Sequence, residues 1–274
     1  MACLVANDTL MKYVGQAMSV PQLVFLRGWI AVLMVLVVAH LLGATPRLRR
    51  VLDRRVATRA LVDAAGTLLY LASLMHLPIA NATAINLSAP LIVIVFAVLF
   101  LRERAGPRRW FAVGAGFVGV LLVVQPRADG FTAYALLCLA GTVFQAGREL
   151  LTRRIDPAVP SIVVALASVG CVTVLAAVLM PIQGWQPFTL SELGLLAAAA
   201  ALLATGYFLV VVGMREGEIS LVVPFRYVGL LVAVLMGYAV WGEVPNAIAW
   251  GGMSLLLVSG IYLVHGERGR APSS

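Results

Sequence analysis

The chain has 274 residues, of which 62% are hydrophobic and 12% are charged, and its formal net charge is +8. Soluble domains are about half apolar and about one quarter charged, so this composition excludes a soluble protein and predicts an integral membrane protein. The positive charge does not indicate nucleic-acid binding, because the arginines lie at the ends of apolar segments, as they do in membrane proteins.

Ten apolar segments follow one another along the chain, separated by turns or charged connections. A helix needs about 20 apolar residues to cross a bilayer, and most of the segments approach that length. The predicted helices cover the residues up to Val14, 21–42, 60–77, 80–101, 109–125, 131–151, 158–181, 191–213, 219–241 and 246–264. The sequence therefore predicts an all-α polytopic membrane protein with ten transmembrane helices.

The connections between these helices alternate between arginine-rich and arginine-poor. The second, fourth, sixth and eighth connections and the C-terminal tail all carry arginine, whereas the other connections hold only Lys12 and Arg127. Positive residues accumulate on the cytoplasmic side of membrane proteins. This asymmetry predicts that both termini lie in the cytoplasm.

A fixed step of 140 residues relates the two halves of the chain. The related pairs are Glu103 and Glu243, Trp110 and Trp250, Gly66 and Gly206, and Ile79 and Ile219. Each half has five predicted helices, an odd number, so the second copy should be inverted in the membrane, as is typical of secondary transporters. We expect two inverted five-helix repeats, residues 1–127 and 128–274. The same step predicts a first helix about nine residues longer than the printed sequence allows.

Ionisable side chains inside the predicted helices are candidates for function, because a charge in hydrocarbon costs several kcal/mol unless it faces water or a partner. They are Asp8, Arg27, Asp63, Arg148, Glu149 and Arg226. Arg226 lies about 10 Å from the helix start. Its guanidinium could bind a substrate carboxylate through two hydrogen bonds, or form a structural ion pair.

The other ionisable side chains lie closer to the helix ends. Arg27 could pair with Asp8, attract an anionic group or support helix packing. Asp63, Arg148 and Glu149 are close to the cytoplasmic ends of their helices, so we expect them to mark the boundary of the membrane.

Neutral polar and aromatic side chains could complete a substrate pocket at the interface of the two repeats. The candidates are Tyr70, Asn86, Gln145, Tyr207 and Tyr227. Each of them could instead be satisfied by a neighbouring helix. Asn86 and Arg226 are related by the 140-residue step, which places polar groups at equivalent points of both halves.

Two prolines, Pro90 and Pro224, lie inside the fourth and ninth predicted helices. Proline frees a backbone carbonyl and kinks a helix. We interpret both prolines as candidate hinges of a gating motion, although proline also occurs in ordinary transmembrane helices.

Other motifs give no indication of an enzyme. Gly114, Gly116 and Gly119 spell G-x-G-x-x-G, but they lie within an apolar helix, where small residues serve close helix packing. The three cysteines and three histidines lack metal-ligand spacing, and no catalytic group is apparent. We predict no enzymatic activity, no cofactor and no metal.

Three sequence motifs carry a family resemblance. They are Leu101-Arg102-Glu103-Arg104 ahead of Trp110 and Gly114, Trp241-Gly242-Glu243 ahead of Trp250 and Gly251, and the stretch Leu23–Ala31. Over essentially its whole length, the chain resembles the EamA-type family of the drug/metabolite transporter superfamily. Among bacterial members it is most similar to the YddG-type amino-acid exporters.

The resemblance implies a ten-helix inner-membrane carrier that moves small metabolites by alternating access, usually outward, with amino acids as the first expectation. The halves differ, since Arg27 corresponds to Ala167 and Pro90 to Leu230. Efflux of a drug or another metabolite is an alternative within transport. A membrane sensor or scaffold without transport activity is the alternative from another class. The sequence does not indicate a coupling ion or an oligomeric state, and a monomer is compatible with the predicted fold.

Overall fold

The structure, a computed structural model, describes residues 1–41, 43, 45–102, 106–125, 131–216 and 219–268, with the backbone alone at 101, 131–132, 207–208, 210–216, 219–227 and 264–268. All regular structure in these ranges is helical. The helices are α1 (Ala2–Val14), α2 (Val20–Leu41), a short 3-10 helix (Thr45–Leu52), α3 (Arg54–Leu74), α4 (Ile79–Asn86), α5 (Ala89–Leu101), α6 (Pro107–Val124), α7 (Phe131–Thr152), α8 (Ser161–Gln183), α9 (Leu190–Glu216), α10 (Ile219–Trp241) and α11 (Ala247–Arg268).

The predicted all-helical class is confirmed, and most observed helix ends lie close to the predicted ones. By length and hydropathy, four helical segments in the described part of the chain could each cross a membrane: Val20–Leu41, Ile79–Phe100, Pro107–Val124 and Ser161–Gln183. Large apolar side chains such as Leu33, Phe111 and Leu235 stay exposed. Such exposed apolar faces suit a lipid environment, because the lipid tails are as apolar as the side chains.

Two helices depart from the prediction. Helix α3 begins at Arg54 instead of residue 60, because its basic first turns continue the helix instead of ending it. The predicted fourth helix is divided at Leu87 and Ser88 into α4 and α5. Pro90 follows in the first turn of α5, where its missing N–H has no intrahelical partner to lose. The backbone of α10 runs through position 224 without a break, and the side chain of Pro224 lies outside the described residues.

The connections gather at two ends of the bundle. At one end, the Gln22 side chain exchanges hydrogen bonds of 2.7 and 2.9 Å with the backbone of Gln186. The amides of Gln125 and Asn246 pair there at 2.8 and 2.9 Å. At the other end, Arg55 donates to the carbonyl oxygen of Arg154 at 3.2 Å. We call the end with Arg55 the basic end and the end with Gln125 the opposite end.

Helices of the first half of the chain pack mainly on helices of the second half. Helix α3 packs along α7, α1 along α9, α2 along α8 and α6 along α11, while α4 contacts α10. The interior between them is apolar, with Leu23, Leu71, Leu196 and Met253 almost fully buried.

Close packing of α6 and α11 depends on glycine. A Cβ atom on Gly119 would lie 2.8 Å from the carbonyl oxygen of Gly252, and one on Gly252 would lie 2.6 Å from that of Gly119. A Cβ atom on Gly116 would overlap with the side chain of Leu91 on α5. The packing interpretation of the G-x-G-x-x-G motif therefore applies to Gly116 and Gly119. It does not apply to Gly114, which has no atom within 4 Å of such a Cβ.

We expect Gly119→Val to lower the free energy of unfolding by about 2 kcal/mol, because overpacking a close contact forces backbone shifts. The thermal midpoint of the purified protein in detergent measures the effect. Gly114→Val is the matched control on the same helix, since its new side chain meets open space. Equal losses for the two variants would show that the contact with Gly252 is not the cause.

Candidate functional site

A chain of hydrogen-bonded polar side chains joins α1, α2 and α3. The Arg27 guanidinium of α2 donates to Asn7 Oδ1 of α1 at 3.2 Å. Asn7 Nδ2 donates to Asp8 Oδ1 at 2.9 Å, and the Tyr70 hydroxyl of α3 donates to Asp8 Oδ2 at 2.9 Å. We call Asn7, Asp8, Arg27 and Tyr70 the central cluster.

Burial differs among the members of the central cluster. Arg27, Asn7 and Tyr70 are 6%, 2% and 6% exposed, whereas Asp8 is only half-buried. A carboxylate offers about four acceptor positions, and the contacts to Asn7 and Tyr70 use two of those on Asp8. The Asp8 carboxylate can therefore accept further hydrogen bonds from a ligand that bears N–H or O–H groups.

The sequence of α1 positions the central cluster. Asn7 and Asp8 are consecutive, so their side chains leave the helix about 100° apart and can reach different neighbours. Asn7 lies between the guanidinium and the carboxylate and links the two charges. The arrangement joins a positive and a negative group through a single amide, which suits a ligand that carries both charges.

The structure brings together some of the predicted site residues and not others. Tyr70 is part of the central cluster, and Arg27 and Asp8 are linked through Asn7, which sequence reasoning missed. Asn86 and Gln145 are half-buried on α4 and α7, and no described hydrogen bond joins them to the central cluster. The side chains of the remaining candidates lie outside the described residues: Tyr207, Arg226 and Tyr227.

A second group of charges lies near the basic end, between α3, α7 and α8. Arg148 and Arg59 contact the Asp63 carboxylate at 2.9 and 3.4 Å. Arg59 also donates to the hydroxyl groups of Ser168 and Thr152. We call Arg59, Asp63 and Arg148 the basic-end ion cluster.

That Asp63 and Arg148 mark the boundary of the membrane stays a prediction, but both side chains lie largely buried between helices. Their side chains are only 10% and 15% exposed. Because α3 and α7 pack closely, the two charges meet between the helices instead of extending into water. Glu149 follows on α7, with its carboxylate 4.0 Å from the Arg148 guanidinium.

Possible metal ligands and the three cysteines are dispersed in the described ranges. No three His, Cys, Asp or Glu side chains there are grouped as a metal site requires. Cys3, Cys138 and Cys171 are free thiols, and Cys138 is buried in the apolar core.

Comparison with known proteins identifies relatives over most of the chain. Residues 1–125 match the EamA-like transporter family. The chain is 28% identical to a riboflavin transporter of Rhizobium johnstonii over 79% of this chain and 72% of the relative. It is 26% identical to the pseudopaline exporter CntI of Pseudomonas aeruginosa, over 96% of this chain and 92% of the relative.

Two further comparisons extend this picture. An S-adenosylmethionine uptake transporter of Rickettsia bellii is 23% identical, over 96% of this chain and 90% of the relative. One solved crystal structure matches 98% of this chain and 99% of its own chain, with a TM-score of 0.63 and 17% identity, and that likeness concerns the fold alone.

These relatives are transporters, which confirms the predicted resemblance and the prediction that the chain is not an enzyme. Specific similarity to the YddG-type exporters stays a prediction. Over residues 1–125, the chain is similar to the EamA-like transporter family.

Proposed function

We propose that the chain is a secondary transporter of the bacterial inner membrane that exports small metabolites, in particular amino acids, by alternating access. The central cluster is the observation that carries this proposal. It holds the charged groups of Asp8 and Arg27 within an apolar bundle, where an unneeded charge would cost several kcal/mol. Polar groups retained at such a position are typical of a solute pathway.

Two inverted repeats, residues 1–127 and 128–274, would provide the moving halves. The 140-residue step relates α1 to α7 and α3 to α9. The packed pair α3–α7 therefore corresponds to the packed pair α9–α1 under the repeat. In the α2–α8 pair and in the α6–α11 pair, each helix packs on its own counterpart in the other repeat. A Cβ atom on Gly66 would meet Gly141 of α7, and one on its counterpart Gly206 would meet Leu4 of α1. These correspondences support the inverted arrangement.

The substrate class follows from the charges of the central cluster. Asp8 suits an ammonium group, and a guanidinium such as that of Arg27 or Arg226 suits a carboxylate. Tyr70, Tyr207 and Tyr227 would offer aromatic surface to the side chain of an amino acid, and Asn86 and Gln145 would offer amides. In this proposal Pro90 and Pro224 act as hinges, and the arginine asymmetry places both termini in the cytoplasm.

A second candidate function is transport of a larger metabolite. It is favoured by the relatives that are a riboflavin transporter and an S-adenosylmethionine uptake transporter. The two candidates share the central cluster and differ in the size of the solute.

Flux into proteoliposomes distinguishes the two candidates. We expect the reconstituted chain to carry at least one labelled amino acid faster than protein-free vesicles do. Flux of riboflavin or S-adenosylmethionine without flux of any amino acid would support the second candidate. Absence of flux for the whole panel would contradict both, and would favour a membrane protein without transport activity.

A further inference from the structure

Three segments meet at the opposite end through one ammonium and one carboxylate. Lys12 Nζ donates to Glu243 Oε1 at 2.7 Å and to the carbonyl oxygen of Leu77 at 2.8 Å. It also lies 4.7 Å from the centre of the Trp241 ring. Glu243 Oε2 accepts a hydrogen bond from the backbone N–H of Ile79 at 3.1 Å. We call Lys12, Ile79 and Glu243 the opposite-end clasp.

Each contact of the clasp is strengthened by its surroundings. The Lys12 side chain is 8% exposed and that of Glu243 is 25% exposed, so water screens the ion pair only partly. Ile79 is the first residue of α4, and the unpaired N–H groups at a helix start favour a carboxylate. Charge-assisted hydrogen bonds of this kind are about twice as strong as neutral ones.

The clasp joins the two halves of the chain. Lys12 lies in the last turn of α1 and Ile79 begins α4, both in the first half, whereas Glu243 follows α10 in the second half. This differs from the carboxylate of Glu192 at the same end, which accepts a hydrogen bond from the backbone N–H of Thr189 at 2.6 Å within one segment. If the two halves separate at this end, the contacts of Glu243 must break, whereas those of Glu192 are unaffected because they lie within one segment.

The clasp also lies close to the central cluster. Lys12 follows Asp8 by four residues on α1, which corresponds to about 6 Å and places both side chains on the same helix face. A cavity of about 330 Å³ adjoins the clasp and is lined by Asn81, Gln125, Glu243 and Asn246, among others. The buried Asn81 Oδ1 has no hydrogen-bond partner in the described part of the chain.

We infer that the opposite-end clasp is the gate that closes this end of the solute pathway, and that the structure holds it closed. The inference rests on the proposed transport function. Opening requires Lys12 to leave Glu243, and Glu243 to leave the start of α4. The adjoining cavity then connects the region around Asp8 with the outside of the bundle.

Thiol labelling tests the gate. The reporter is Ala80→Cys, a buried position that lines the cavity, in a chain whose three native cysteines are replaced by alanine. A membrane-impermeant maleimide is added from the side of the opposite end. We expect Lys12→Met and Glu243→Gln each to raise the labelling rate by about tenfold, because loss of one charge-assisted contact favours the open state. Glu192→Gln, the control, should leave the rate unchanged.

Unchanged labelling in both Lys12→Met and Glu243→Gln would overturn the gate. If these two variants do not fold, Glu243→Asp and Lys12→Arg replace them. Glu243→Asp shortens the side chain and withdraws the carboxylate, so it must raise the labelling rate, whereas Lys12→Arg must keep the rate near the parent value. Equal labelling rates in these two variants would overturn the gate.

Flux in proteoliposomes separates the gate from the proposed transport function. If labelling becomes faster but no solute is carried, the clasp still controls opening and the proposed transport function is wrong. If solute is carried but labelling is unchanged, the transport function stands and the gate is wrong.

Discussion

Asp8→Asn should reduce the initial rate of amino-acid flux in proteoliposomes by about 100-fold. The Asp8 carboxylate is the half-buried member of the central cluster, and its open acceptor positions would bind the substrate ammonium. The amide of Asn has the same size but no charge, so the charged hydrogen bond to the substrate is lost. Such a bond contributes about 1.5 to 3 kcal/mol to binding. The loss should appear mainly as weaker substrate binding.

Tyr70→Phe provides a graded companion to that variant. It removes the 2.9 Å hydrogen bond to Asp8 and keeps the aromatic ring, so we expect a loss of about tenfold. Tyr262→Phe is the matched control, because Tyr262 is exposed on α11 and packs edge-to-face against Phe111. Parental flux in Asp8→Asn, at equal amounts of reconstituted protein, would assign the central cluster to helix packing.

Asp63→Asn should cause the second large effect, a loss of about 3 kcal/mol in the free energy of unfolding. Asp63 accepts hydrogen bonds from both Arg148 and Arg59, and all three side chains are at most 15% exposed. Removing one partner of a buried ion pair leaves uncompensated charge, here two guanidinium groups close together. We expect the thermal midpoint in detergent to fall by about 5 °C or more.

Asp53→Asn is the control for that prediction. Asp53 precedes α3 on the exposed surface and makes no capping hydrogen bond through its side chain. Its replacement should change the midpoint by no more than about 1 °C. If Asp63→Asn and Asp53→Asn behave alike, the basic-end ion cluster contributes nothing to stability.

Helix bounds could be predicted well because hydropathy and turn residues act locally along the chain. The errors lie where charge and helix propensity oppose each other. Arg54 and Arg59 resemble a connection by charge, but arginine is a good helix former and α3 continues through them. One continuous fourth helix with a kink at Pro90 was predicted, whereas the structure divides this helix at Leu87 and Ser88 and places Pro90 in the first turn of α5, where proline is accepted.

The candidate site was predictable only in part, because its contacts join residues far apart in sequence. Tyr70 was selected for its aromatic ring, but its partner Asp8 is 62 residues away. Asn7 was missed because it carries no charge, although an amide beside Asp8 in an apolar helix was a usable signal. Glu243 was identified only as a mark of the repeat, and its contact with Ile79 spans 164 residues.

Solute counterflow tests the central claim most directly. Proteoliposomes are loaded with an unlabelled amino acid that the chain carries, and a trace of the labelled compound is added outside. A carrier that exposes one site alternately to each side accumulates the label transiently above its equilibrium level. We predict this overshoot for the parent chain and its loss in Asp8→Asn. Label that only equilibrates, without an overshoot, would contradict alternating access around the central cluster.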